Sequence, residues 1–190
     1  MILDVVVLAG GRGRRLGGLS KADLVVGGAR LLDHILGDLA DWDHPAVTLG
    51  RTVVVAPDTV NVPDGVRRTL EEPPGGGPSA GVAAALAVLG KGDLVAVLTC
   101  DAPRSARALP LLLEALSDDV GGAAAARAGF TEYLLAIYRF DRLAARIRDE
   151  RGARDISARR LLGPLAPVPV DVGDLGRDVD TWEDLAQLGE

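Results

Sequence analysis

The eight residues Ile2–Ala9 carry seven apolar side chains, interrupted only by Asp4, and they stop at Gly10-Gly11. A run this continuous and this β-branched does not alternate between core and solvent. It suits a strand covered on both faces, as in a parallel sheet flanked by helices. Two further runs of the kind occupy Thr52–Ala56 and Leu94–Thr99. Between them Leu31, Leu32, Ile35, Leu36 and Leu39 recur at helical spacing, with Asp33, Asp38 and Asp41 on other faces. Ser79 stands where it would cap an Ala-rich helix reaching about Leu89, and Leu109, Leu112, Leu113 and Leu116 mark a third helix. Strand and helix alternating at this spacing predict an α/β fold, with a Rossmann-like, mostly parallel sheet between two helical layers.

The later half is less regular. Tyr133–Arg139 reads as a strand, Asp141–Arg148 as a helix and Pro167–Val172 as a short extended piece. Thr181–Leu188 reads as a closing helix, capped by Thr181 with Asp184 at the third helical position. A length of 190 residues with 48% hydrophobic content predicts one domain over 1–190.

Composition narrows the function. Twenty-seven acidic against twenty-one basic residues leave a net charge of −6. That argues against a broad basic surface for nucleic acid, though not against one phosphorylated small molecule on a local basic loop. Cys100, the single cysteine, cannot form an internal disulfide, and no Cys/His cluster has zinc-ligand spacing. The apolar start is too short to span a membrane and lacks a basic flank and cleavage pattern, so the expected location is the cytoplasm.

In sheets of this type ligands lie outside the carboxyl ends of the strands. That points to the loops Gly10–Lys21, Ala56–Asp58 and Cys100–Arg104. The first holds five glycines together with Arg12, Arg14, Arg15 and Lys21. Glycines let backbone N–H groups converge on phosphate oxygens, and the cations add attraction. No Gly-Lys-Ser/Thr occurs, so the loop is not a Walker A; Leu16 replaces the third glycine of the dinucleotide fingerprint. Lys21 is one of only two lysines beside nineteen arginines, and a compact charge suits a phosphate. Asp101, following the third strand, faces the same crevice as a hard oxygen ligand suited to Mg²⁺; the alternative is a turn-forming aspartate before Ala102-Pro103.

Four segments carry a resemblance over nearly the whole chain: Leu8-Ala9-Gly10-Gly11 with Arg15-Leu16-Gly17-Gly18 and Lys21; Gly75-Gly76-Gly77-Pro78-Ser79-Ala80-Gly81; Thr99-Cys100-Asp101-Ala102-Pro103; and Asp178-Val179-Asp180-Thr181-Trp182-Glu183-Asp184-Leu185. Together they resemble the nucleotidyltransferases of the molybdenum cofactor guanylyltransferase type, which have the nucleotide-diphospho-sugar transferase-like fold. The resemblance implies nucleotide contacts at Leu8, Ala9, Gly10, Gly11 and Lys21, at an acid near Glu72, and at Gly77 and Pro78. It implies a metal on Asp101, with Asp180 or Asp178 completing the site and Asp180 the stronger candidate. Residues 1–105 would form the nucleotide half and 106–190 the acceptor half.

The implied reaction joins GTP and molybdopterin cofactor to the guanine dinucleotide form, releasing pyrophosphate. Arg15, Lys21 and Asp101 would stabilise the charge. The resemblance allows transient contact with proteins that deliver the cofactor or with apo-molybdoenzymes. Ser20 replaces a common aspartate, Ala56 a common asparagine, and Tyr133-Leu134-Leu135 a His-Pro-Leu-like stretch. Base choice and acceptor therefore stay open, with a cytidylyl- or sugar-phosphate nucleotidyltransferase, or a nucleotide-binding module without turnover, as the other readings. Arg139, Arg154, Arg159 and Arg160 are candidates for the acceptor's phosphate or for a solvated basic face; His34, His44 and Cys100 read as structural.

Overall fold

A computed structural model of the chain describes residues 1–10, 12–13, 19–181 and 183–184. The apolar runs form the central strands. β1 (Ile2–Leu8) is followed by a small ribbon of β2 (Arg12–Gly13) and β3 (Leu19–Ser20), then by a second ribbon of β4 (Val25–Val26) and β5 (Ala29–Arg30). α1 (Leu31–Ala40), β6 (Thr48–Val55), β7 (Arg67–Thr69), α2 (Pro78–Leu89), β8 (Leu94–Thr99) and α3 (Leu109–Glu114) come next. β9 (Gly122–Arg127), β10 (Phe130–Arg139), α4 (Phe140–Asp149), α5 (Ala158–Leu162) and β11 (Val168–Asp171) complete the order. Most of the expected closing helix, Thr181–Leu188, lies outside the described residues.

The seven-stranded sheet runs β11-β9-β10-β8-β1-β6-β7. β10 is antiparallel to both of its neighbours, and every other pairing is parallel. This is the mostly parallel α/β sheet that the apolar runs predict. Alternate side chains of each strand feed two cores. Leu3, Val5 and Val7 meet Leu32, Ile35 and Leu112 on one face; Val6, Val95 and Val97 meet Val82, Leu86 and Leu143 on the other. Each such fully buried aliphatic side chain contributes about 1.5–3 kcal/mol through removal from water. Among the described residues no helix is long and apolar enough to cross a membrane.

Several boundaries differ from the sequence expectation for identifiable reasons. β6 begins at Thr48, not Thr52, because its first residues are half-exposed and alternate while pairing with Ile2 and Leu3. β10 starts at Phe130 because it forms a hairpin with β9, and β9 is a run of alanines that propensity does not favour as a strand. α2 is capped by Gly77, at φ 85°, with Pro78 as its first residue, and not by Ser79, which lies inside the first turn with its hydroxyl buried.

Register sets the functional edge. Leu8 pairs with both Val55 and Thr99, so β1, β6 and β8 end at one level. Toward the amino end of β1, Asp4 is fully buried. Its Oδ1 accepts from the Arg51 backbone N–H (2.7 Å) and Nε (3.1 Å), and its Oδ2 from Arg51 Nη2 (2.6 Å). Arg51 also donates to the carbonyls of Leu89 and Lys91, fastening the end of α2 to the sheet. Arg51→Ala strands that carboxylate, and we expect a loss of about 3 kcal/mol in denaturant unfolding.

Candidate active site

A third, small core explains how distant segments meet. Val179 is fully buried among Leu24, Val26 and Leu31, and its backbone N–H donates to the carbonyl of Asp101 at 2.7 Å. Pinning Val179 holds the next residue, Asp180, beside Lys21. Asp180 Oδ1 accepts from Lys21 Nζ at 2.6 Å, and Asp101 Oδ2 accepts from the same ammonium at 3.1 Å. Lys21 itself sits on a single 3-10 turn, Lys21–Asp23, anchored by buried Ala22. Burial works against its charge. The bond to Asp180 and the attraction and bond of Asp101 outweigh that, so its pKa is raised.

Asp178 takes a different place. It lies 3.9 Å from Arg127 and is pushed up to about 6, first by burial, then by the negative charges of Asp101 and Glu132. Of the two candidate carboxylates, Asp180 is therefore the one that shares a cation with Asp101. A reciprocal cap holds the turn after it: the Asp184 carboxylate accepts from the Thr181 N–H (2.9 Å), and the Asp184 N–H donates to Thr181 Oγ1 (3.2 Å).

The glycine-rich loop before α2 is shaped by Glu71, whose Oε1 accepts from the N–H groups of Gly75 (2.9 Å) and Gly76 (3.2 Å). Glu72, where the resemblance implies an acid at the nucleotide, is exposed beside it, and the shaping role of Glu71 had no signal in the sequence, since the two adjacent acids are chemically alike. A Cβ on Gly76 would meet Ala80 and Arg154 at 2.8 Å each, so the loop needs glycine there for close approach. Gly10, Gly77 and Pro78 are exposed, Leu8 is half-buried and Ala9 is buried with its N–H on the Val55 carbonyl. Gly11 and Arg15, with residues 14 and 16–18, lie outside the described residues.

The four candidate arginines do not converge. Arg139 pairs with Asp118 and the Ser117 carbonyl, and its strand partner is Leu94, at the start of β8. Arg154 reaches the Pro73 carbonyl, and the neighbouring Asp155 N–H bonds the Gly76 carbonyl. Arg159 and Arg160 line a cavity beside α4 and α5. His34 bonds the Val26 carbonyl, and His44 stacks on Trp42. Cys100 is buried and its thiol is pushed up to about 12, first by that burial and then by Asp101, which excludes a thiolate nucleophile at neutral pH.

A family model described as the MobA-like NTP transferase domain matches residues 5–165. The chain belongs to that family. A molybdenum cofactor guanylyltransferase of Acidiphilium cryptum (strain JF-5) is 35% identical over 144 residues, 72% of this chain and 66% of the relative, so the match spans slightly under two thirds of that protein. Among solved structures, molybdopterin-guanine dinucleotide biosynthesis protein A from Archaeoglobus fulgidus superposes with a TM-score of 0.69 at 21% identity, covering 97% of this chain and 95% of that one. The 2-C-methyl-D-erythritol 4-phosphate cytidylyltransferase from Thermus thermophilus gives 0.72 at 19% identity, covering 100% and 98%. These likenesses show a common fold.

The MobA-like site has the donor chemistry for a hard divalent cation. A positive ion already lies between two carboxylates, here the Lys21 ammonium. Among the described residues no three acids, cysteines or histidines group as a complete cage. Two carboxylates with the remaining ligands from phosphate and water is the set that Mg²⁺ prefers. Lys21→Gln removes the shared cation, and we expect a lower melting temperature at neutral pH. Because the folded pKa of Lys21 lies above the free value of 10.5, the gap between parent and variant should be complete below that pH and narrow only above it; thermal melts from pH 7 to 11 check this.

Proposed function

We propose that the chain transfers GMP from GTP to the terminal phosphate of molybdopterin cofactor, giving the guanine dinucleotide form and pyrophosphate. The observation that carries this reading is the meeting of Lys21, Asp101 and Asp180 at the carboxyl edge of the sheet, in a family named for NTP transfer with a relative named as a guanylyltransferase. Residues 1–105 hold the nucleotide over β1, β6 and β8, and residues 106–190 hold the acceptor. Leu8, Ala9, Gly10, Gly11, Glu72, Gly77 and Pro78 border the nucleoside, with Glu71 keeping the loop in shape.

A phosphate oxygen of the acceptor attacks the α-phosphorus in line. The new P–O bond forms as the bond to the bridging oxygen breaks, and pyrophosphate leaves with that electron pair. The attacking phosphate is ionised at neutral pH, so no general base is needed. Lys21 and Arg15 offset charge on the departing pyrophosphate, and Lys21 also orients the Asp101 and Asp180 carboxylates. Asp101 and Asp180 would hold Mg²⁺, which neutralises charge on the phosphates when bound.

Pyrophosphate release, measured with GTP, CTP, ATP and UTP and with or without molybdopterin, tests the assignment. Turnover should require GTP and the acceptor together, and consumption of CTP alone would overturn the guanylyl reading. Asp101→Ala should lower kcat by about a hundredfold or more, and Asp180→Asn should cost more than Asp178→Asn.

A further inference from the structure

β10 separates two environments at its amino end. Glu132 lies in the electrostatic surroundings of Asp178, while Tyr133, the next residue, packs against the opposite core with α2, α4 and α5. The ladder to β9 shifts register between Glu132 and Ala136, and Tyr133 and Leu134 both pack into the α2, α4 and α5 core, so the space that Tyr133 lines lies on that side of the sheet. What it lines is a cavity of about 600 Å³, shared with Arg146, Glu150, Ser157, Arg159 and Arg160.

The hydrogen-bonding inventory of this cavity is one-sided. Three guanidinium groups face one carboxylate, a local excess of two positive charges in a chain whose net charge is −6. Both oxygens of Glu150 are engaged, Oε1 by Arg146 Nη2 and Oε2 by Arg160 Nη2 at 3.5 Å. Arg146 also donates to the Arg160 carbonyl, and its Nε is buried with no partner among the described residues. Ser157 Oγ accepts from the Arg160 N–H at 3.2 Å, leaving its O–H to donate. Among the described residues the Arg159 guanidinium and the Tyr133 hydroxyl have no hydrogen-bond or ion-pair partner. Open donors converge, the one carboxylate is spent, and the missing component is an anion with several acceptor oxygens.

We propose that this cavity binds a small phosphate monoester, the phosphate held by Arg159, Ser157 and Tyr133 and the organic part filling the remaining space. The volume exceeds what inorganic phosphate needs and matches a sugar-sized ligand. The proposal does not depend on what the Lys21 centre transfers.

Glucose 6-phosphate, with glucose as the uncharged control, is the probe, titrated calorimetrically into the full chain at moderate salt. The parent should bind glucose 6-phosphate and not glucose. Arg159→Ala should weaken binding about tenfold, the size of one lost charge-assisted contact, and Tyr133→Phe by a smaller factor. Lys21→Ala, at the other site, and Arg148→Ala, an exposed arginine of α4 outside the cavity, should bind as the parent does. Circular dichroism confirms that each variant is folded. The proposal is overturned if the parent takes no probe at millimolar concentration or if Arg159→Ala binds like the parent. It equally fails if Lys21→Ala abolishes binding, which locates the probe at the other site, or if Arg148→Ala weakens it as much as Arg159→Ala, which reduces the effect to diffuse charge.

Discussion

One ammonium group between two carboxylates organises this molecule's functional edge. Lys21 bonds acids 80 and 159 positions further along the chain. Three segments that share no secondary-structure element are thereby brought to a single point. The arrangement is held from below: Val179, sealed among Leu24, Val26 and Leu31, is tied by its N–H to the Asp101 carbonyl, so the carboxylates are positioned by backbone and core as well as by their own bonds.

The rest of the site follows the same division of labour between buried scaffold and exposed chemistry. Glu71 spends its carboxylate on two backbone N–H groups, which sets the path of the loop leading into α2. Arg154 and Asp155 brace that loop from the far side. The acid that is free of such duties, Glu72, is the exposed one.

Much of this was readable from the order of residues alone. β1 and β8 were legible because strands covered on both faces must be apolar without interruption, Lys21 and Asp101 stood in loops beyond such strands, and Asp180 was picked out by the resemblance of the closing segment alone. β9 was not, since alanines carry no strand signal and are buried here only because β10 and β11 flank them. Arg127 went unnoticed for a related reason: its approach to Asp178 depends on the hairpin formed with β10, a long-range pairing that local pattern does not encode. Glu71 and Glu72 are chemically the same letter, and only the geometry of the turn assigns one to the backbone.

The reversed direction of β10 changes how the second half of the molecule can vary. Because this strand enters the sheet at the edge where β8 leaves it, the tight turn at Ala128 and Gly129 lies at the carboxyl edge of β8 instead of the opposite rim. Residues inserted at that turn would build outward from this edge while leaving the pairing of β9 with β10 in place. A single inverted strand thus leaves a loop of adjustable length on the same rim as the ends of β1, β6 and β8.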